Sequence, residues 1–504
     1  MVAMEDKYIL TFDAGTGAGR CTLIDLSGRV EAKAYEEWEY DTDVDGMMIF
    51  NPETFWKILS RLCRKVLETS GIPLKNLIGV SATSQREGMV YAGEDGREIY
   101  AAPSLDLRGE SEIERLGLYR PEIQKTSGLT LSGMFGLARL EWFRNHAPKR
   151  YAQIDRVMMI SDWILYRLSG SIRSEASIAA SSQMFDVRNR CWAKGMLKEL
   201  GLRQDIFPKL AVLGEVIGHV SNTAAKDTGL PAGLPVVCGG GDTQMALLGM
   251  GVIRTGEVGV AAGTTTPVMM ALDYYPDLRR RREIFVNNHV VSGLYLLESN
   301  GGITGLALRW VRDLFFDGDE DSGVGPYGND TYGRMALEAA DVPKGAHGIR
   351  AYLGAEIAAR SSKESGFCFP TGLTTKYCER GIFFRAAFEA NAFCIRANME
   401  KLERTSHRKV NYIPLCGGQS KSSFFNQLLA DICGIPVRTF QVKEASALGT
   451  ALASAVGVGE YASVEEAVAH MVHEEKVFEP APGEKEKYES LYGQWLLGMK
   501  GPEG

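Results

Sequence analysis

Thr11-Phe12-Asp13-Ala14-Gly15-Thr16-Gly17-Ala18-Gly19-Arg20 decides how the rest of the chain is read, because part of it returns later as Val260-Ala261-Ala262-Gly263-Thr264-Thr265. In both places an apolar run ends in Ala-Gly-Thr, and a second apolar run follows and closes on Asp, at Leu23-Ile24-Asp25 and at Ala271-Leu272-Asp273. A glycine-threonine turn after a strand exposes backbone N–H groups and a hydroxyl, which suits phosphate oxygens. Two such turns predict two related domains that grip one polyphosphate from opposite sides. Only the first copy carries a carboxylate, Asp13, where the second has Ala261. The halves are therefore expected to share a fold and differ in chemistry.

The 504 residues suffice for two to four domains. A hydrophobic content of 45% with 24% charged residues fits a globular protein, and a net charge of −7 argues against a broad nucleic-acid surface. No uninterrupted apolar stretch approaches the roughly 18 residues of a membrane span, and Met1–Lys7 has no signal-peptide core. Nine cysteines without a Cys-x-x-Cys pair, and seven dispersed histidines, predict a reducing cytoplasm and neither a disulfide framework nor a thiolate metal site.

Residues 7–13 and 19–26 read as a hairpin that opens a sheet. Asn51-Pro52-Glu53 starts a helix over 52–69. The strand Leu77–Ala82 feeds the polar cluster Ser84-Gln85-Arg86-Glu87-Gly88. Helices are expected over 134–145 and 155–168, then a small-residue loop over 171–183. The strand Val236-Val237-Cys238 runs into Gly239-Gly240-Gly241-Asp242, and residues 243–253 read as helical. Arg254-Thr255-Gly256 divides the chain into domains 1–253 and 254–504, the second repeating strands then helices and ending in a charged helix near 484–497. Asp317–Gly323 resembles the start of a calcium loop but lacks its turn glycine and closing glutamate, so it reads as an exposed loop. Arg279–Arg282 reads as a solvated basic run.

Three clusters carry candidate chemistry. Asp242 follows three glycines at a strand's carboxyl end, where open α/β sheets bind ligands. Phosphoryl transfer to an alcohol needs one carboxylate there to orient the hydroxyl and accept its proton; a helix cap is the structural alternative. Gln85, Arg86 and Glu87 offer donors and acceptors for several hydroxyls of a polyol, or a surface ion pair. Asp106, in Asp106-Leu107-Arg108, is similar, with a helix cap as its alternative. Gly417-Gly418, with Lys421 and Ser422, opens a helix after the strand Val410–Leu415 and suits an anionic group, or a purely structural turn. Lys443–Ala451 reads as a helix whose small residues serve close packing.

In this order the clusters resemble the FGGY family of carbohydrate kinases, within the actin/Hsp70/sugar kinase superfamily, from about Lys7 to Gly457. The resemblance rests on Asp13-x-Gly15-Thr16-x-x-x-Arg20, Gly240-Gly241-Asp242, Ala262-Gly263-Thr264 and Gly417-Gly418-x-Ser420-Lys421-Ser422, with Leu429–Gly434 and Glu444-Ala445-x-Ala447-Leu448-Gly449 in support. It implies an α/β chain of two RNase H-like domains flanking a deep cleft, ATP with Mg²⁺, and a small sugar or polyol phosphorylated at a hydroxyl. It further implies Asp242 as general base and Asp13 near the metal. Thr16, Gly17 and Arg20 would lie on the first phosphate turn, Gly263 and Thr264 on the second, and Gly305, Gly418, Lys421 and Ser422 at the nucleotide. Gln85, Arg86, Glu87, Asp106 and Thr243 would lie at the substrate. A homodimer is compatible with the chain.

Within the family, Ser84-x-Arg86-Glu87-Gly88-x-Val90, Met159–Trp163, Gly239–Asp242 with Gln244, and Asn287-x-His289-Val290 look most like the autoinducer-2 kinase branch. That branch has Gly-Gly-Thr-Phe-Trp where this chain reads Ala262-Gly263-Thr264-Thr265-Thr266. Xylulose kinases usually have Met-His-Gly at Arg86-Glu87-Gly88. Glycerol kinases share Gln85-Arg86-Glu87, but have a tyrosine at Met134 and a glutamine at Thr243. A xylulose or other pentulose or polyol kinase is therefore the alternative. A structural or regulatory nucleotide-binding protein of the superfamily would have no use for Arg86, Glu87 and Asp242 together.

Overall fold

Two mixed sheets organise the chain in a computed structural model that describes residues 6–276, 284–316, 330–357, 360–361, 366–369 and 379–500. The basic run Arg279–Arg282 and the loop Asp317–Gly323 lie outside the described residues. The first sheet has the order Val216–His219, Pro235–Val237, Leu77–Ser84, Tyr8–Ala14, Ala18–Asp25, Val30–Glu37. The second runs Phe285–Asn288, Tyr295–Asn300, Pro267–Leu272, Val258–Ala261, Ile413–Cys416, Val437–Phe440, Glu474–Phe478. Each has a central strand paired antiparallel to the next in sequence across the Ala-Gly-Thr turn, and parallel to a later strand on its other side. The repeat legible in the sequence is thus a repeat of architecture.

Register places the candidate residues. Ala14 pairs with Ser84 in parallel, and Ser84 bridges Gly241 in parallel. Three strands therefore release their chains at one edge, which gathers Asp13, the 84–87 segment and Asp242. In the second sheet Ala261 pairs with Cys416, which sets the second Ala-Gly-Thr turn beside Gly417-Gly418.

The helix Pro52–Ser70 forms as its start signal predicts: Asn51 Oδ1 accepts from the N–H groups of Glu53 (2.9 Å) and Thr54 (3.2 Å), and left-handed Gly71 ends it. Two expectations are corrected. Residues 155–168 are not one helix: Arg156–Met159 is a strand paired with Met89–Ala92, and only Ile160–Ser169 is helical. The apolar run Val157-Met158-Met159 completes a small buried sheet, which outweighs its helical spacing. Nor is 171–183 all loop. It contains the strand Arg173–Glu175 and the buried helix Ala176–Ala180, whose first N–H, from Ser177, goes to the Glu175 carboxylate at 2.7 Å.

The halves are joined by two crossing helices, Asp242–Gly249 and Ala445–Gly457. A Cβ on Gly249 would stand 2.0 Å from the Ala445 carbonyl oxygen, and one on Gly449 1.9 Å from that of Met245, so the backbones touch where side chains would hold them apart. Met245, Leu248, Ala447, Leu448, Ala451 and Leu452 close around the crossing with Ile9 and Ile24 of the first sheet. The small-residue face of the second helix is close packing, as read.

Gly449→Val should lower the melting temperature by at least several degrees, since buried overpacking costs about 1–3 kcal/mol or more. Gly493→Ala, exposed in the helix Glu484–Lys500 with open space around it, should leave it unchanged or raise it slightly. Thermal denaturation of both variants checks this.

Candidate active site in the cleft between the sheets

Beyond Ser84 the chain turns into the first sheet's open edge and its side chains diverge. Gln85 turns inward. Its amide donates to the Gly15 carbonyl (3.4 Å) and the Tyr40 hydroxyl (3.2 Å), and its carbonyl accepts from Ser104 N–H (2.8 Å). Gln85 is thereby held as a bracket, its amide hydrogens and carbonyl engaged by Gly15, Tyr40 and Ser104. Arg86 points across the cleft and forms a two-pronged pair with Glu298 of the second sheet, Nη1 to Oε2 at 2.6 Å and Nη2 to Oε1 at 3.0 Å. Glu87 lies beside it, 3.8 Å from Arg86 Nε. Burial raises the Glu87 pKa, while Arg86 and Arg139 draw it down. Asp106 is fully buried and accepts from Arg108 Nε (2.6 Å), Arg108 N–H (3.0 Å) and the Tyr100 hydroxyl. An arginine and a tyrosine thus hold it within the wall beside this segment.

Asp242 is the first residue of its helix. The glycines before it allow close approach: a Cβ on Gly239 would stand 2.0 Å from the Ala82 carbonyl oxygen and one on Gly240 2.7 Å from Val290, while one on Gly241 would meet the movable end of Gln244 at 2.6 Å. Thr83 donates to the Gly240 carbonyl at 2.7 Å, and Ser177 accepts from Gly241 N–H at 3.2 Å while donating to Glu175. The Asp242 carboxylate accepts only from its neighbour Thr243 among the described residues, from N–H at 2.6 Å and the hydroxyl at 3.0 Å, both at Oδ1. The helix-cap alternative would require bonds from the next N–H groups along. Burial pushes the Asp242 pKa up to about 7, aided by the Asp13 and Glu87 charges and opposed by Arg86 and Thr243. A carboxyl so poised can exchange a proton near neutral pH.

Asp13 is the penultimate residue of the central strand Tyr8–Ala14, below the turn at Gly15-Thr16-Gly17. Its Oδ2 accepts from Ser446 at 3.2 Å and lies 3.5 Å from Arg20 Nη1, and its Oδ1 is buried without a partner. Burial raises its pKa, and Arg20 and Ser446 pull it back. At the turn, the Thr16 carbonyl accepts from Trp38 and Tyr40, and the Gly17 carbonyl from Trp38 N–H. That leaves N–H groups and the exposed Thr16 hydroxyl for an anion.

On the opposite sheet, Gly263 and Thr264 sit against Gly305, whose Cβ would overlap the Gly263 carbonyl at 1.7 Å, and Leu306 N–H donates to Thr264 O at 3.1 Å. Gly417, at φ 89°, abuts Ala262, and the space around Gly418 is open. Gly263, Thr264, Gly305 and Gly418 thus form one surface, with Lys421 exposed beyond it. Ser422 caps the helix Ser423–Cys433, accepting from Phe425 N–H at 3.2 Å.

Sequence reasoning missed Glu298, Ser446, Ser177 and Glu175. Glu298 carried a signal, since a lone carboxylate within Tyr295-Leu296-Leu297-Glu298 must find a partner if the strand is buried.

Residues 8–249 match the N-terminal domain of the FGGY family of carbohydrate kinases, and residues 258–458 its C-terminal domain. A protein named autoinducer-2 kinase from Yersinia enterocolitica is 34% identical over 499 residues, covering 97% of this chain and 93% of that protein. Two solved structures from Lactobacillus acidophilus, a gluconate kinase and a ligand-bound xylulose kinase, superpose with TM-scores of 0.84 at 20% identity. The first covers 98% of this chain and 97% of the other, the second 97% of each. At that identity they show the shared fold.

In the nucleotide-free protein, Asp242→Asn should raise the melting temperature at pH 8. The folded-state pKa near 7 stands above the ordinary 3.8, so the ionised carboxylate opposes folding in full above about pH 7 and progressively less towards pH 4. The gain should shrink between those limits in calorimetry. An equal gain at pH 8 and pH 4.5 would count against the assigned environment.

Proposed function

Because the chain belongs to the FGGY family of carbohydrate kinases, and so is an ATP-dependent sugar kinase, we propose that it transfers the γ-phosphoryl group of ATP to a hydroxyl of a small sugar or polyol with Asp242 as general base. The observation that carries this reading is the Asp242 carboxylate, bonded only to Thr243 among the described residues, at the edge where three strands end beside Arg86 and Glu87. Glu87 and Arg86 orient the acceptor through its hydroxyls. Asp242 takes the acceptor O–H proton as the new O–P bond forms and the bond to the ADP oxygen breaks. Thr243 keeps the carboxylate turned for that transfer.

We place the phosphates between the turns at Thr16-Gly17 and Gly263-Thr264, with Arg20 beside the first, and the nucleoside against Gly305 and Gly418 with Lys421 at its margin. Ser422 serves that surface by capping the helix behind it. The assignment of domains as 1–253 and 254–504 is supported by one sheet falling in each. Mg²⁺ fits the unpartnered Asp13 Oδ1. No group of three metal-ligating side chains exists among the described residues, which suits an ion held by one carboxylate, water and nucleotide phosphates. When bound, it would neutralise charge on those phosphates.

The relative named autoinducer-2 kinase, at 34% identity, puts 4,5-dihydroxypentane-2,3-dione first among acceptors to test, with xylulose and ribulose next. No described helix is long and apolar enough to cross a membrane. The described cysteines are all free, which supports a cytoplasmic location.

ADP release measured against these acceptors, glycerol and erythritol should show acceptor-dependent turnover that stops in excess chelator. Asp242→Asn should fold, bind ATP and acceptor, and lose about 10²–10⁴-fold in kcat with little change in KM. Retention of more than about a third of kcat would remove the base assignment, because general-base loss costs far more.

A further inference from the structure

Glu298 reaches the acceptor side of the cleft from the opposite sheet. It lies in the strand Tyr295–Asn300, paired with Met269 and Phe285, and its side chain is 3% exposed. A carboxylate so buried needs a cation with matching geometry, and Arg86 supplies the two-pronged match at 2.6 and 3.0 Å. The Arg86 Nη1/Nη2 fork is thereby occupied, and Glu87 stands 3.8 Å from the Nε side. The edge that remains, Nε with one Nη, is flanked by Glu87, so a carboxylate placed there would meet a like charge. A hydroxyl oxygen can take one of these N–H groups without bringing charge beside Glu87, whereas a carboxylate on that edge cannot.

The surrounding charges act in the same direction. Glu298, Glu87 and Asp242 face Arg86, Asp13 faces Asp242, and Arg139 is bonded to the carbonyls of Glu87 and Met134. Arg20 lies at the phosphate turn beside Asp13, with 44% of its side chain exposed. Three acidic groups, Glu298, Glu87 and Asp242, therefore face the two guanidinium groups of Arg86 and Arg139 on this side of the cleft.

We propose that Glu298 is a positioning and specificity-determining residue of the acceptor site: by holding the Arg86 fork from the other half of the chain, it reserves the site for an uncharged hydroxylated acceptor and refuses one that carries a carboxylate. The discrimination is repulsive as well as attractive, since an acidic acceptor would meet the Glu87 and Asp242 carboxylates beside an Arg86 whose end-on fork Glu298 already fills. The inference rests on the kinase reading and narrows its substrate class.

Steady-state kinetics of wild type, Glu298→Gln and Glu298→Asp, each with the best neutral acceptor and with D-gluconate as the acidic probe, test it. Wild type should favour the neutral acceptor in kcat/KM by at least about 100-fold, as expected where like charges meet in a desolvated site. Glu298→Gln frees the fork and removes one charge. It should raise the gluconate-to-neutral ratio at least about tenfold, mainly through acceptor KM, with KM for ATP nearly unchanged. Glu298→Asp keeps the charge and should keep the wild-type ratio. A ratio within about threefold of wild type in folded Glu298→Gln overturns the assignment, as does a rise in Glu298→Asp equal to that in Glu298→Gln. Wild type that uses gluconate as well as its best neutral acceptor overturns it without any variant. Wild type that phosphorylates no acceptor at all overturns the kinase reading itself, and this inference with it.

Discussion

The crossing of the helices Asp242–Gly249 and Ala445–Gly457 fixes everything else in the cleft. Backbone meets backbone at Gly249 and Gly449, so the two sheets are tied at one depth and angle. Both helices carry site residues at their N-terminal ends. Asp242 begins one, and Ser446, near the start of the other, reaches Asp13 in the first sheet at 3.2 Å. A contact that joins two halves of a chain thus also sets where a carboxylate from one helix stands relative to the Ala-Gly-Thr turn of the far sheet. Side chains at the crossing would separate the helices and displace both residues together.

Around that floor the protein gathers acidic groups that a stable core would avoid. Asp13, Glu87 and Asp242 are all held above their ordinary pKa values, with burial as the first cause in each. Locally consistent rules are broken where function is placed, and the surrounding structure supplies the compensation. Arg86 is that compensation beside Glu87 and Asp242: burial opposes its charge, yet the Glu298, Glu87 and Asp242 carboxylates outweigh burial and hold it charged. At the other end of this cluster the Asp13 oxygen without a partner leaves a place that a cation would satisfy. His289 supports the frame without joining the chemistry. Its Nε2–H donates to Val252 O at 3.0 Å, its Nδ1 accepts from Val291 N–H at 2.9 Å, and burial lowers its pKa to about 4.

The repeated Ala-Gly-Thr turn and the triple glycine before Asp242 were legible because glycine at those points answers to backbone geometry that the sequence states directly. The two-sheet plan followed from them. The strand Arg156–Met159 and the helix Ala176–Ala180 were hidden, since each is stabilised by pairing or burial against distant segments. Side-chain direction was hidden for the same reason. Nothing local distinguishes Gln85, which turns back to Gly15 and Tyr40, from Arg86, which crosses to Glu298. Asp106 and Asp242 are both acids that follow strands in the sequence, yet one is enclosed by Arg108 and Tyr100 and the other bonds only to Thr243 among the described residues.

The central claim is that this arrangement makes Asp242 the group that accepts the acceptor's proton. The pH dependence of kcat/KM for the acceptor, in wild type and in the residual activity of Asp242→Asn, addresses it most directly. The account predicts an acid limb in wild type, from an ionisation above the ordinary carboxylate range, that is absent from the variant. The same acid limb in both proteins would assign the ionisation to another group and contradict the claim.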